Sequence, residues 1–539
     1  MVKRCTVPRS VERRRKRAIK MKNDVDNHIL NISDFYAGKS IFITGGTGFL
    51  GKALVEKLLR SCPDIKEIFI LMRPKKGMNV DDRLKKMLTL PLYDLVRETN
   101  PSAFDKIIPV KGDTAAEGLG LDPIERQVLT DRVSVIFHVA ASVRFDDNLQ
   151  YAVFNNTRST RDICILAGSM KQLTALVHVS STYAHADKPV VEETLYPAEV
   201  DWKRTIKIAE NVDNNVLKTL TAKYMGPIPN TYTFTKKLAE NVIADYSDRL
   251  PCVIVRPSIV ISTMEDPIPG WVDNFNGPTG LMIGGGKGLL RISYADPDII
   301  SDYIPLDAAI KVIIIVGCKR GRVTVTKDPS THVYNCASNN LTNISMGQLI
   351  ALGLHLIQDI PLDNCIWSPN TKITRCPYYF YINVLIFHLL PALIIDQILK
   401  FTGHEPMLLK LQRRIYISNV SVSYFLFHQW DFRNNKIISL MAKLSGDDVK
   451  KFFFDYKNIH ISNFFKDATI GAKKYLLHED MNQLDKFRKY QNRMWWLDRI
   501  CKTLWLIFFT WAFFSTGLYT YLCNTLNDLI NSIFSDLPI

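Results

Sequence analysis

The chain has 539 residues, with 68 basic and 53 acidic side chains and a net charge of +15. That length accommodates two or three domains with sizeable cores. The basic excess comes without an arginine-rich groove, interleaved aromatics or zinc-finger spacing, which ranks nucleic acid last among anionic partners. The ten cysteines include no C-x-x-C pair, which argues for a reducing compartment and against a disulfide framework or structural zinc.

In chain order, residues 1–35 form a basic arm that includes Arg13-Arg14-Arg15-Lys16-Arg17. The arm has no apolar core before Ile41, so it is not a secretory signal, and it reads as a solvated or membrane-surface segment. Residues 39–51 follow as Lys-Ser-Ile-Phe-Ile-Thr-Gly-Gly-Thr-Gly-Phe-Leu-Gly. Ser40 to Ile43 reads as a buried strand, Gly45, Gly48 and Gly51 as a tight turn, and Lys52 to Leu59 as a helix. Strand, glycine turn and helix start together cradle a pyrophosphate: the glycines allow close backbone approach, and the helix start offers unpaired N–H groups.

Glu67 to Met72 is the second expected strand, and Val80 to Thr99 an amphipathic stretch. Ile107–Val110, Val133–Ala141, Ala175–Thr182 and Cys252–Pro257 are the third to sixth strands. Near-continuous apolar runs separated by helical segments predict a doubly wound parallel sheet of Rossmann type, with ligands at the carboxyl ends of the strands. An NAD-selective fold tends to carry an acidic residue about 20 positions beyond the glycines. This chain has Arg73 there, followed by Lys75 and Lys76, a cationic group suited to a 2′-phosphate. NADPH is therefore the expected cofactor.

Pro229-Asn-Thr-Tyr232-Thr-Phe-Thr-Lys236 opens a helix and sets Tyr232 and Lys236 one turn apart on one face. An ammonium beside a phenol whose free pKa is about 10 favours ionisation. Tyr232 is therefore a candidate proton donor to a developing alkoxide, with Lys236 tuning it and holding the ribose. Ser180-Ser181-Thr182, at the end of the fifth strand, supplies hydroxyls that could polarise a carbonyl.

These residues together resemble the short-chain dehydrogenase/reductase superfamily in its extended form. Matching to that pattern makes Ser181 the better candidate for the catalytic hydroxyl, with Ser180 as the fallback. The interval from Ser181 to Tyr232 is longer than the superfamily's, which implies an insertion around 190–229 expected to line the substrate entrance.

A closer resemblance rests on Thr44-Gly-Gly-Thr-Gly-Phe-Leu-Gly-Lys52, Phe137-His-Val-Ala-Ala-Ser-Val-Arg-Phe145, Val177-His-Val-Ser180, Arg256-Pro-Ser-Ile259 and Asp302-Tyr-Ile-Pro-Leu-Asp307. With the Tyr232–Lys236 motif, these look like the eukaryotic, insect-like fatty acyl-CoA reductases, from about residue 36 to the C-terminus. Ser181 stands where that family commonly has threonine; either hydroxyl can donate. The resemblance implies cofactor contacts from Gly45, Thr47, Gly48, Phe49, Leu50, Gly51, Arg73, Asp113, Ala140, Tyr232, Lys236, Pro257 and Ile259, and no metal. It also implies a smaller helical C-terminal domain, marked by His388-Leu-Leu-Pro-Ala392, Asp396 and Gly403-His-Glu-Pro406.

Thr503 to Asn527 is a run of 25 residues without a charge, long enough to cross a bilayer core. Lys486, Arg488, Lys489, Arg493, Arg499 and Lys502 precede it, and Asp528 and Asp536 follow. Positive-inside then places residues 1–502 in the cytosol. Trp495 and Trp496 fit an interfacial anchor. Tyr378 to Leu399 is also apolar but contains Asn383, His388, Pro391 and Asp396. It is expected to pack within the C-terminal domain or to dip into the bilayer.

The expected organisation is a basic arm at 1–35, an NADPH-binding reductase domain at 36–330, a connecting region at 331–364 and a helical domain at 365–485. A single transmembrane helix at 503–527 and a short tail at 528–539 complete it. The resemblance implies NADPH-dependent reduction of a long-chain acyl-CoA to a primary fatty alcohol through a bound aldehyde. Acyl-CoA and membrane lipid are the expected partners, and a homodimer is a candidate assembly. The membrane could be that of the endoplasmic reticulum, the peroxisome or a lipid droplet. The competing readings are a membrane-bound dehydrogenase of a sterol or sugar nucleotide, and a catalytically silent lipid-binding member.

Overall fold

A computed structural model describes residues 31–535, apart from 76, 326–327, 329, 339–342, 445 and 456–458. The arm up to residue 30, Lys76 and Asp536 therefore lie outside the described residues.

Seven strands form one parallel sheet: β1 (Ser40–Thr44), β2 (Glu67–Met72), β3 (Ile107–Lys111), β4 (Val133–His138), β5 (Ala175–Val179), β6 (Cys252–Pro257) and β7 (His332–Cys336). Their order is β7-β6-β5-β4-β1-β2-β3, so the direction of winding reverses between β1 and β4, where such sheets bind nucleotides. Alternation decides the two faces. Ile41, Ile43, Ile68, Ile70, Val135, Phe137, Val177 and Val253 face one core, under helices Phe49–Ser61 and Leu306–Gly321. Phe42, Phe69, Ile136, Leu176 and Ile254 face the other, under Ser159–Gly168 and Thr231–Tyr246. Because both faces are covered, the strands read as unbroken apolar runs.

Several expected boundaries shift. β4 stops at His138 and β5 at Val179, which frees Val139–Ala141 and Ser180–Thr182 to form the rim of the site. Val80–Thr99 divides into helix Val80–Leu88, a short 3₁₀ turn at Pro91–Tyr93 and helix Asp94–Thr99, with Pro91 at the break. The range read as a connecting region, 331–364, carries β7, an edge strand of the main sheet, and helix Met346–Asp359. At the other end, helix Ile32–Tyr36 packs into the core, where Tyr36 Oη donates to Ile314 O at 2.7 Å.

The C-terminal region is stitched to the sheet domain. Asp431–Phe432 pairs in parallel with Val190–Val191, and Lys372–Thr374 with Ile292–Tyr294. Ile32 N donates to Asp448 Oδ2 at 2.6 Å.

The uncharged run 503–527 is not one straight helix. Helix Leu484–Ser515 ends at Thr516, Gly517 takes a φ of +71°, and Leu518–Ser535 follows. The two segments are bent by 61°; glycine supplies the left-handed conformation a sharp break needs. One described unbroken helix is long and apolar enough to cross a membrane, Pro377–Phe401, with a mean hydropathy of 1.9.

Candidate active site

The glycine turn after β1 is built for close backbone contact. Gly45 has a φ of +73°, and a Cβ there would sit 2.6 Å from Ala140 N. A Cβ on Gly51 would overlap the Gly45 carbonyl, so the helix start could not seat on the turn. Gly48 caps that helix, exposed and extended, with its N–H on Gly45 O at 2.9 Å. This cradle leaves room for a pyrophosphate and none for side chains, which fits a dinucleotide. Thr47, Phe49 and Leu50 lie along its rim, part-exposed. Phe49 stacks on Trp271 with ring centroids 5.6 Å apart. Ala140 N donates to Thr44 Oγ1 at 3.3 Å and so ties the end of β4 to the turn.

Arg73 leaves the end of β2 exposed and pairs with Asp113, beyond β3, at 3.3 Å. Lys75 is exposed and bridges to Met78 across a tight turn. The cationic group expected for a 2′-phosphate is therefore solvent-facing at the β2 end, with a carboxylate of the same site already beside Arg73.

The catalytic candidates converge from three elements. Ser181 follows β5 and caps the 3₁₀ turn Thr182–His185, with its Oγ accepting from Tyr183 N at 3.2 Å. That hydroxyl also donates to Pro257 O, at the end of β6, at 3.5 Å, and it draws down the pKa of the Tyr232 hydroxyl. Ser180 makes no such bond; its Oγ is buried without a partner. Helix Thr231–Tyr246 starts at Asn230, whose Oδ1 accepts from Thr233 N at 2.9 Å, which fixes Tyr232 in the first turn. Ile259, past β6, pairs with Tyr303 in a short parallel bridge.

Lys236 is anchored by the end of β5. Its Nζ donates to Val179 O at 2.7 Å, and burial lowers its pKa to about 8, with Glu240 opposing that shift. Desolvation pushes the Tyr232 hydroxyl up to about 12, with only the Ser181 bond drawing it back. The phenol is thus protonated across the neutral range and is poised to give a proton rather than to take one.

Two groups were not assigned from sequence. Beneath the helix, Arg256 is buried and forks onto Glu240, with Nε–Oε1 at 2.8 Å and Nη2–Oε2 at 2.6 Å. His185 Nε2 lies 2.8 Å from the same carboxylate. Desolvation opposes ionisation of Glu240, yet Arg256 and then His185 hold its carboxyl well below the usual range. An arginine inside the apolar run Cys252–Pro257 was the available signal, because a charge in a buried strand requires a partner. The second group is an aromatic wall. Phe145 lies 5.8 Å from the Tyr232 ring and 5.3 Å from Phe425, and Tyr183 packs on Phe425, Trp430 and Phe432. Phe425, Trp430 and Phe432 come from the C-terminal region, so both parts of the chain build the site.

The insertion at 190–229 takes little part. Its helices, Trp202–Asn211 and Asn214–Met225, pack outside: Trp202 Nε1 bonds Asp245 at 2.9 Å and Gln150 Nε2 bonds Ala209 O at 2.8 Å. Within it, Val191 and Tyr196 reach the aromatic wall.

A family model described as Male sterility protein, of NAD-binding type, matches residues 43–313, and a second Male sterility protein model, Sterile, matches 387–479. A Xenopus laevis fatty acyl-CoA reductase 1 is 35% identical over 86% of this chain and 90% of its own length. The chain belongs to the fatty acyl-CoA reductase family. A Drosophila melanogaster protein provisionally named a fatty acyl-CoA reductase is 37% identical over 85% of this chain and 90% of its own. Among solved structures, the reductase domain of a nonribosomal peptide synthetase from Mycobacterium tuberculosis superposes with a TM-score of 0.53 at 17% identity. It covers 83% of this reductase and 95% of that domain, which shows a shared fold. The NAD-binding family model, which spans the glycine turn, supports a nicotinamide cofactor.

Proposed function

We propose that the protein reduces long-chain fatty acyl-CoA to a primary fatty alcohol, with NADPH as reductant and an aldehyde held between two reductions. The observation that carries this reading is the convergence of the Ser181 and Tyr232 hydroxyls beside an apolar wall of Phe145 and Phe425. Bound nicotinamide supplies the hydride for each reduction. Ser181 and Tyr232 donate to the thioester oxygen as negative charge grows there, and collapse expels CoA thiolate and leaves the aldehyde. In the second reduction Tyr232 gives its proton to the alkoxide. Lys236, held by Val179 O, is positioned to bond the ribose beside the reacting ring. Arg73 and Lys75 would meet the 2′-phosphate that distinguishes NADPH.

The proposed organisation has a reductase part from helix Ile32–Tyr36 through β7, a helical part at 365–485 and a membrane-associated end, with the body on the cytosolic side. Basic residues before Leu504 support that orientation. Membrane lipid is then a partner of the C-terminal helices, and a homodimer is its candidate assembly.

The test is product analysis of the membrane fraction with a panel of acyl-CoAs and NADPH, beside Tyr232→Phe. Two equivalents of NADPH consumed per alcohol are expected, with a loss of about 10²-fold or more in the variant. NADPH binding without any product from any acyl-CoA would sink the proposal and favour a sterol or sugar-nucleotide dehydrogenase.

A further inference from the structure

We infer that residues Trp271 to Asn276 form a strap that runs beside the nicotinamide half of the bound cofactor, and that Asp273 is the positioning residue that latches it. This inference rests on the dinucleotide reading above and goes beyond it in naming what covers the cofactor. The strap lies between two glycines in the left-handed conformation, Gly270 with a φ of +75° and Gly277 with a φ of +61°. It has neither helix nor turn of its own. Glycine adopts left-handed backbone at no steric cost, which lets the chain change direction on entering the strap and again on leaving it.

The first half of the strap is fastened to the helix that opens at the glycine cradle. Trp271 is buried and stacks on Phe49, the first residue of that helix, and Val272 is buried in the cluster that Phe49 joins. Asp273 pairs with Lys52, one turn further in. The chain just before the strap holds the same helix, where Asp266 accepts from Lys57 Nζ at 2.5 Å and from Arg60 Nη2 at 2.5 Å. Helix Ile461–Gly471 closes in from the other side. A Cβ on Gly270 would overlap Asp467 O, and one on Gly471 would overlap Gly270 O. Packing on two sides therefore sets where the strap begins.

The far end arrives at the catalytic side. A Cβ on Gly277 would meet Ile259 Cγ2 at 3.3 Å. Ile259 packs on the aromatic wall and lies just beyond Pro257, whose carbonyl accepts from Ser181 Oγ. In the sheet, β4 and β5 lie between β1 and β6, so the crossing covers three strand spacings, about 14 Å. Extended chain from Asp273 to Gly277 reaches about 13 Å. The strap therefore runs close to straight past the carboxyl ends of β4 and β5. A dinucleotide with its pyrophosphate on the cradle and its ring beside Tyr232 crosses the same two strand ends. Phe275, 55% exposed, is the large apolar side chain on this stretch, and a nicotinamide ring lying there would cover it.

The test compares binding of NADPH with that of 2′,5′-ADP, which carries the adenosine and the 2′-phosphate but no nicotinamide half, by calorimetry on the full-length protein in detergent. Asp273→Asn is expected to raise Kd for NADPH about tenfold and to leave Kd for 2′,5′-ADP within about twofold, with Asp273→Glu recovering most of the NADPH affinity. Phe275→Ala is expected to show the same split with the latch intact. Equal weakening of both ligands, or unchanged NADPH binding, overturns the inference. If Asp273→Asn does not fold, the comparison in Phe275→Ala decides. Wild-type protein that binds neither ligand would instead refute the dinucleotide reading itself, and NADPH binding without reduction of any acyl-CoA would refute the proposed activity alone.

Discussion

At the residue scale, burial rather than charge pairing sets the chemistry of the site. Tyr232 keeps its proton because its hydroxyl is desolvated, and Lys236 is held by the Val179 carbonyl. Arg73 is the opposite case, exposed and only loosely held by Asp113. Arg73→Ala is expected to raise KM for NADPH about tenfold with little effect on NADH, read from initial rates with each cofactor. Two buried histidines predict an acid limit. His138 sits between Thr44 Oγ1 at 2.7 Å and Thr160 Oγ1 at 3.1 Å, and burial lowers its pKa to about 3. His178 is buried with neither ring nitrogen bonded, and burial holds it well below the ordinary value. Unfolded histidine binds a proton near pH 6.5, so between about 6.5 and 3 the unfolded state takes up more protons. Stability is therefore full above pH 6.5 and falls on acidification, by about 1.4 kcal/mol per pH unit for each histidine. Urea titrations at stepped pH should show this slope, reduced by about half in His138→Gln.

At the scale of the element, helix Thr231–Tyr246 carries the catalytic tyrosine and is held from below by a buried ion pair. Glu240 lies one turn beyond Lys236 and is clamped by Arg256 from β6 and by His185 from the turn after Ser181. One network thereby links the three elements that bring Tyr232, Ser181 and Pro257 together. Arg256→Met would leave a buried carboxylate without its main partner. It is expected to cost about 3–5 kcal/mol in chemical denaturation, with Arg256→Lys intermediate because lysine cannot make the fork. The C-terminal helices show the same economy in their polar groups. In Pro377–Phe401, Asp396 accepts from Met407, Leu408 and Leu409 N–H at 2.9–3.0 Å, and His388 Nε2 accepts from Arg291 N at 3.2 Å. His388 and Asp396 are turned inward and satisfied, and most of the exposed face is apolar.

At the scale of the whole molecule, that outer face and the C-terminal helix both expose large apolar side chains. Tyr378 is 78% exposed and Phe401 94%, with Ile382, Leu385, Ile394 and Ile398 also exposed between them. Leu484–Ser515 is fastened to the body at Asp498, which accepts from Arg291 Nη2 at 2.9 Å and Trp367 Nε1 at 2.6 Å. Beyond that anchor, Leu504 to Phe509 are exposed without a protein partner to cover them. Single exposed apolar residues are ordinary, but a contiguous patch of this extent marks a membrane or partner surface. Ile394→Asp with Ile398→Asp is expected to weaken membrane retention when the 503–535 segment is also removed, measured by vesicle flotation. Unchanged flotation of that double variant would mean that Pro377–Phe401 does not meet lipid.

The sequence alone determined the parallel sheet, the glycine turn and the apolar C-terminal runs, and it proposed Ser181, Tyr232 and Lys236 as the catalytic set. Each is a local pattern whose physics acts over one strand, one turn or one helix face. It did not reveal β7, because Val333 to Cys336 lies far along the chain from its partner β6 and its short run contains Asn335. Nor could spacing show that Lys236 bonds Val179 O, since residues sharing a helix face can still point at different neighbours. The break at Gly517, the inward turn of His388 and Asp396, and the meeting of Phe425 with Phe145 are long-range outcomes. They depend on which surfaces pack together, and packing joins residues that sequence distance keeps apart.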